Sequence, residues 1–284
     1  MAAYGHFFAV YAASIIIAVY VGLRLMGVSI RTSWKPSIAF ARRHYLMLIV
    51  LAALPLAVQA LSLAKTFFGD THYVTESINN ASKVYALGGG IITTLQRSLD
   101  SAIIDAFFGV TYMWVFAVFT YLLPILLVVK RDGPILANFT IAVGMNYVVL
   151  IIFYILFPVK VSSGLPGANV EPVLYSSDTW SAMATSVDSL TNCFPSGHVS
   201  LSFTAFLVFA LAGMEYRRLS YILGATAVIL GIAVLHLGIH YPADVLGGLV
   251  LAAFSVFCAT NERVREAVTK FFFSPARAEV DNSV

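Results

Sequence analysis

The sequence predicts an all-α membrane protein, a polytopic bundle of about seven transmembrane helices. Three observations lead there. Of 284 residues, 60% are hydrophobic and only 11% are charged, where a soluble domain averages about 45–50% and about 25%. The apolar residues gather into runs long enough to cross a hydrocarbon core of ~30 Å. The basic residues gather between alternate runs, the signature of an oriented membrane chain.

The first run, Gly5 to Leu25, carries no charge before Arg24. No positive segment precedes it and no clear small-residue cleavage site follows, so it reads as a retained span rather than a signal peptide. Arg24, Arg31, Lys35, Arg42 and Arg43 cluster in what reads as a short loop. Tyr45 to Phe68 is the second span, and Pro55 is tolerated because neighbouring helices can satisfy the freed backbone groups. Gly69 to Asp100 is a polar connection. Its Gly88-Gly89-Gly90 lacks the Lys-Ser/Thr of a phosphate loop and reads as a turn.

Ala102 to Val129 is the third span, closed by Lys130, Arg131 and Asp132, and Pro134 to Phe157 is the fourth. Pro158 to Asn192 is too polar to cross and has the length of a lid or binding loop. His198 to Met214, Leu219 to Ile239 and Ala243 to Thr260 are the fifth, sixth and seventh spans, and a charged tail runs from Asn261 to Val284. Three units are expected: residues 1–44, a core over 45–260, and the tail 261–284. Most Lys and Arg lie after spans one, three and five and in the tail, which predicts the N-terminus outside and the C-terminus cytoplasmic.

A net charge of +3 without a basic-aromatic patch excludes nucleic acid as a partner. Cys193 and Cys258 are the only cysteines, too few for a disulfide framework or a cysteine metal site. No cofactor motif is present. Oligomeric state is not legible.

Two polar segments stand where apolar helices begin, both on the predicted outer face. In Pro195-Ser196-Gly197-His198 the serine suits an N-cap. A helix N-terminus is an anion site by geometry and dipole. Gly197 would let a phosphate approach the backbone, and His198 would point at whatever the N–H groups hold. In the second segment, His240 and Asp244 flank Pro242, four residues apart. With Pro242 in the first helical turn, Asp244 can reach the His240 ring. A carboxylate on one imidazole nitrogen fixes the tautomer and leaves the other nitrogen as a nucleophile. The alternative reading of each segment is a capped helix end.

These residues resemble the type 2 phosphatidic acid phosphatase superfamily, whose membrane members keep a Pro-Ser-Gly-His stretch and a later His-x-x-x-Asp stretch. Here the resemblance covers about Asn192 to Gly248. It implies a six-helix core, spans two to seven, with one extra helix before it. It implies a lipid phosphate or isoprenyl diphosphate as substrate, attack by His240 on phosphorus, orientation of His240 by Asp244, and protonation of the leaving oxygen by His198. Ser196 and Gly197 would hold phosphate. No metal is implied.

Two departures stand out. The family's Lys-x6-Arg-Pro motif is missing in that form, and Lys160 stands where its lysine is expected, a candidate phosphate contact or a plain interfacial lysine. Ala233 and Val234 replace the Ser-Arg that precedes the family's histidine, as in the inositol-phosphorylceramide-synthase branch, which transfers a phospho-headgroup to a lipid alcohol. Gly197 is closer to the hydrolases. Arg97 is a spare outer-face cation. His236 is one turn before His240, and reads as a core histidine bonded to a backbone carbonyl or as a partner of the site. Asp105 is an acid inside a span, a functional candidate by default. A metal site or transporter relay built from His198, His236, His240 and Asp244 remains a separate reading.

Overall fold

A computed structural model describes residues 13, 14, 16–24, 27, 28, 30–68, 71–187 and 189–272. The first span is helical over 16–24, and the rest of it lies largely outside the described residues. Helix α1 (Ile30–Arg43) occupies the segment expected to be a loop. The correction has a plain cause: basic and apolar residues alternate there with helical spacing, and the helix lies against α6 and α2 instead of crossing. Next come α2 (Tyr45–Phe68), α3 (Thr71–Tyr85) and α4 (Gly90–Ser98). The last two replace most of the expected polar connection, turning at Gly88 with φ +112°.

Helix α5 (Ala102–Val110) runs through a π-helical turn (Thr111–Val115) into α6 (Phe116–Lys130), making one span of 29 residues. Then follow α7 (Gly133–Leu156), α8 (Asp178–Val187), α9 (Gly197–Leu211), α10 (Arg217–His236), α11 (Pro242–Thr260) and α12 (Glu262–Phe272). Among the described residues there is no strand, only an isolated parallel bridge between Val159 and Asn192.

Among the described residues, five helices are long and apolar enough to cross a membrane: α2, the α5–α6 span, α7, α10 with the short turn before it, and α11. The chain is an all-α polytopic bundle, as expected. Helix α9 is apolar but has 15 residues, about 22 Å at 1.5 Å per residue. That falls short of the ~30 Å core.

Helix α9 is the hub, packed against α10, α11 and α7. Inside the bundle, Ser200 Oγ donates to Asn146 Oδ1 and Asn146 Nδ2 to Thr204 Oγ1, each at 2.9 Å. Such interhelical bonds join helices where the lipid offers no hydrophobic driving force. The end away from the motifs is tied by Lys130 to Glu215 and by Tyr216 Oη donating to Asp132 Oδ2 at 2.8 Å. Asp132 also caps α7, accepting from the Ile135 N–H at 3.1 Å. The motif end has its own apolar cluster, including Val159, Cys193, Val199, Leu230, Ile239 and Tyr241.

Candidate active site

Helix α10 ends on the motif loop through a left-handed Gly238, φ +75°. The Ile239 N–H reaches the Val234 carbonyl at 3.2 Å and the Gly238 N–H reaches Leu235 at 3.1 Å, the paired bonds of a Schellman end. A Cβ at Gly238 would lie 2.4 Å from the Glu171 carbonyl oxygen. Glycine is therefore required twice, for φ and for space. The turn aims His240 into the bundle, where its own N–H bonds Val234 O at 3.0 Å.

The His240 ring meets Asp244 as the spacing suggested, with Nδ1 3.2 Å from Oδ2. The same oxygen accepts the Tyr241 N–H at 2.9 Å, so Asp244 caps α11 and holds the imidazole together. Both side chains are buried, at 2% and 0% exposure. With the carboxylate on Nδ1, that nitrogen carries the proton and Nε2 carries the lone pair. Nε2 has no hydrogen-bond partner among the described residues. A buried orphan of this kind calls for a chemical explanation.

The two motifs are bonded directly. The Ser196 N–H donates to the Asp244 carbonyl at 3.1 Å, and the Cys193 thiol lies 3.4 Å from Ile239 O. Gly248, one turn beyond Asp244, permits this approach: a Cβ there would sit 2.9 Å from Ser196 O. Ser196 caps α9, its Oγ accepting the Val199 N–H at 3.4 Å. Helix geometry leaves the Gly197 and His198 N–H groups without intrahelical partners.

Gly197 differs from its expected use. A Cβ there would lie 2.8 Å from Tyr154 Oη. Its missing side chain makes room for a tyrosine of α7, and its part in anion binding reduces to its N–H.

The His198 ring is held between two aromatic side chains. Tyr112 stacks on it, with centroids 4.0 Å apart at 22°, and Phe116 tilts against it at 4.3 Å. Sequence reading missed both rings, because aromatic residues along an apolar span look like lipid-facing packing.

Lys160 joins the same loop layer. Its N–H reaches Ser77 O at 3.1 Å, and its carbonyl accepts from Tyr241 Oη at 3.1 Å. Burial holds the Tyr241 phenol above its usual value, so it stays a donor. The Lys160 side chain runs along Gly164, where a Cβ would meet its Cε at 2.8 Å. Sequence reading also passed over Lys65. It donates to Tyr154 O at 2.5 Å and to Asn192 Oδ1 at 2.6 Å, bracing the strand of chain that enters the first motif. Arg97 is exposed on α4.

The expectation for His236 needs correcting. Its Nε2 lies 2.6 Å from Asp105 Oδ1, so its partner is a carboxylate 131 residues away rather than a nearby backbone carbonyl. Among the described residues no three His, Cys, Asp or Glu side chains gather as a metal-ligand group.

No curated protein and no solved structure matches the chain. Residues 141–265, from the middle of α7 into α12, match the model of the PAP2 superfamily. That stretch, which holds Lys160, Ser196, Gly197, His198, His240 and Asp244, is where the chain is similar to this superfamily.

Proposed function

We propose that the chain is an integral-membrane lipid phosphatase that hydrolyses a lipid phosphate or isoprenyl diphosphate through a phosphohistidine on His240. The observation that carries the reading is the buried His240–Asp244 pair, whose lone-pair nitrogen has no partner among the described residues and whose backbone is bonded to the start of α9. In the first step Nε2 attacks phosphorus while the bond to the lipid oxygen breaks and His198 gives that oxygen its proton. In the second, water attacks the phosphohistidine and His198 takes its proton. Phosphate leaves, and His240 regains its lone pair. Asp244 stabilises the imidazole that bears the phosphoryl group. The N–H groups of Gly197 and His198, the capped start at Ser196 and the Lys160 ammonium face the charge on the phosphoryl oxygens, where such chemistry gains most.

A cavity supports the lipid part of the reading. It is an apolar hollow between α2, α6, α7, α9 and α10, and its lining includes Phe116, Phe119, Leu123, Val143, Leu201 and Ala205. Phe116 touches both this cavity and the His198 ring. A hydrocarbon chain lying there would bring its phosphate to the histidines. For orientation, Arg42, Arg43, Lys130, Arg131, Arg217, Arg218, Arg263, Arg265 and Lys270 all belong to helix ends or turns away from the motifs. By the positive-inside rule this distribution supports a motif end at the extracytoplasmic face and a cytoplasmic tail.

The second reading, transfer of a phospho-headgroup to a lipid alcohol, is favoured by one observation. Ala233 and Val234, where the family's Ser-Arg would stand, are fully buried in the apolar cluster. That leaves the phosphate one cation fewer. One experiment tests both. Purified protein is incubated with lipid phosphates, with and without lipid alcohols and with chelator, and the phosphoenzyme is trapped. Phosphate release without an alcohol supports the hydrolase, and product that needs the alcohol supports transfer. Turnover that survives His240→Ala, or that stops with chelator, overturns the phosphohistidine reading.

A further inference from the structure

Besides the His240–Asp244 pair the bundle holds a second imidazole–carboxylate pair that the reaction does not use. Asp105 lies in the first turn of α5, and His236 is the last residue of α10. Their contact is a short hydrogen bond of 2.6 Å. His236 is 1% exposed and Asp105 39%. The His236 carbonyl accepts from Gln96 Nε2 at 2.9 Å, which ties α4 to the same point. A carboxylate at the mouth of an apolar span is costly unless it is paired, so this one holds α5 to the end of α10.

What the pair holds is the ring-bearing face of the span. Phe108, Tyr112 and Phe116 follow Asp105 by three, seven and eleven residues, positions that share one helix face. Phe108 packs on His236 with centroids 5.1 Å apart. Tyr112 and Phe116 both pack on His198. The π turn Thr111–Val115 begins three residues after Phe108, itself carries Tyr112, and ends just before Phe116. A π turn is a local surplus of chain that marks functional sites more often than chance. It can relax to α-helical pitch only by rotating one side of the span against the other. On its motif side, the anchor is Asp105.

We propose that Asp105 and His236 are a positioning pair for His198: they lock α5 onto the end of α10 in the register that lays Tyr112 and Phe116 against the His198 ring. The inference rests on the phosphatase reading, in which His198 protonates the leaving oxygen. Neither Asp105 nor His236 touches the phosphate. When the pair is lost the π turn relaxes, Tyr112 slips from the imidazole, and the ring no longer points at the leaving oxygen. Attack by His240 is unaffected.

The test uses the purified full chain and two substrates. p-Nitrophenyl phosphate has a leaving group that needs no proton, and a simple alkyl phosphate has one that does. Asp105→Asn is expected to lower kcat on the alkyl ester by about tenfold or more, a part of the roughly hundredfold or greater contribution of a general acid, and on the nitrophenyl ester by less than about twofold. Asp105→Glu should restore the alkyl rate. In a Tyr112→Leu background Asp105→Asn should add no further alkyl loss, because the two changes act through one contact. Equal losses on both substrates, no loss on either, or additive losses in the double variant overturn the proposal. If Asp105→Asn does not fold, His236→Leu, which removes the donor toward Asp105, carries the same measurements. A native chain that turns over neither ester sinks the phosphatase reading itself, an outcome separate from any effect of the pair.

Discussion

Replacing Gly248 by alanine adds one methyl group at the point where the two motifs meet. The new Cβ would lie 2.9 Å from Ser196 O and 3.1 Å from Val199 Cβ. Both are rigid neighbours, one a backbone carbonyl and the other the stem of a β-branched side chain in the first turn of α9. Relief to ordinary contact needs a shift of about half an ångström, and overpacking of this kind costs about 1–3 kcal/mol. The helical preference of alanine over glycine returns at most about 1 kcal/mol. The balance is a small loss of stability. The larger effect is on rate, because the shift opens the Ser196–Asp244 bond and carries His198 away from His240. A misplacement of ~1 Å can cost about a hundredfold, so half of that implies about tenfold in kcat. Gly144→Ala in α7 is the control, since a Cβ there meets nothing within 4 Å. The assay is phosphate release beside a thermal unfolding curve for each variant. If Gly248→Ala unfolds and turns over as Gly144→Ala does, the direct contact between the motifs does not set the geometry of the site.

Two further outcomes follow from the same packing. Gly238→Ala should lower folded yield by well over the ~1–2 kcal/mol that the left-handed conformation costs, because the Cβ also runs into Glu171 O. Asparagine tolerates that backbone conformation but carries the same Cβ, so Gly238→Asn should fail as badly, and a well-folded asparagine variant in the unfolding assay would show that φ alone matters. Ala205→Leu fills part of the apolar cavity beside α9. It should raise KM for long-chain lipid phosphates several-fold while leaving p-nitrophenyl phosphate unchanged, and equal effects on both would show that the cavity does not hold the substrate chain.

The crossing helices were legible because a bilayer leaves few choices. A span must be apolar for its whole length and must satisfy its own backbone, so α2, α7, α10 and α11 stand out from composition to within a few residues. The pairing of His240 with Asp244 was legible for a similar reason, since four residues around a proline at a helix start leave the carboxylate little else to reach. Helix α1 was misread because basic residues and Pro36 look like a loop when no partner surface is in view. Helices α3 and α4 were missed because their support comes from the loops beneath them, such as Gln96 bonding Glu171 and His236.

What the sequence determined by itself is local: which stretches are apolar enough to enter a membrane, and that His240 and Asp244 meet across one helical turn. Tertiary structure alone decided who stands next to whom across long intervals of chain. Asp105 finds His236, Tyr112 finds His198, and Tyr154 fills the side of Gly197. The physical reason is that periodicity and capping act within a turn or two of helix, whereas these contacts depend on helix rotation and depth. Rotation and depth are set by packing along the whole span, here shifted by one π turn that no local preference announces.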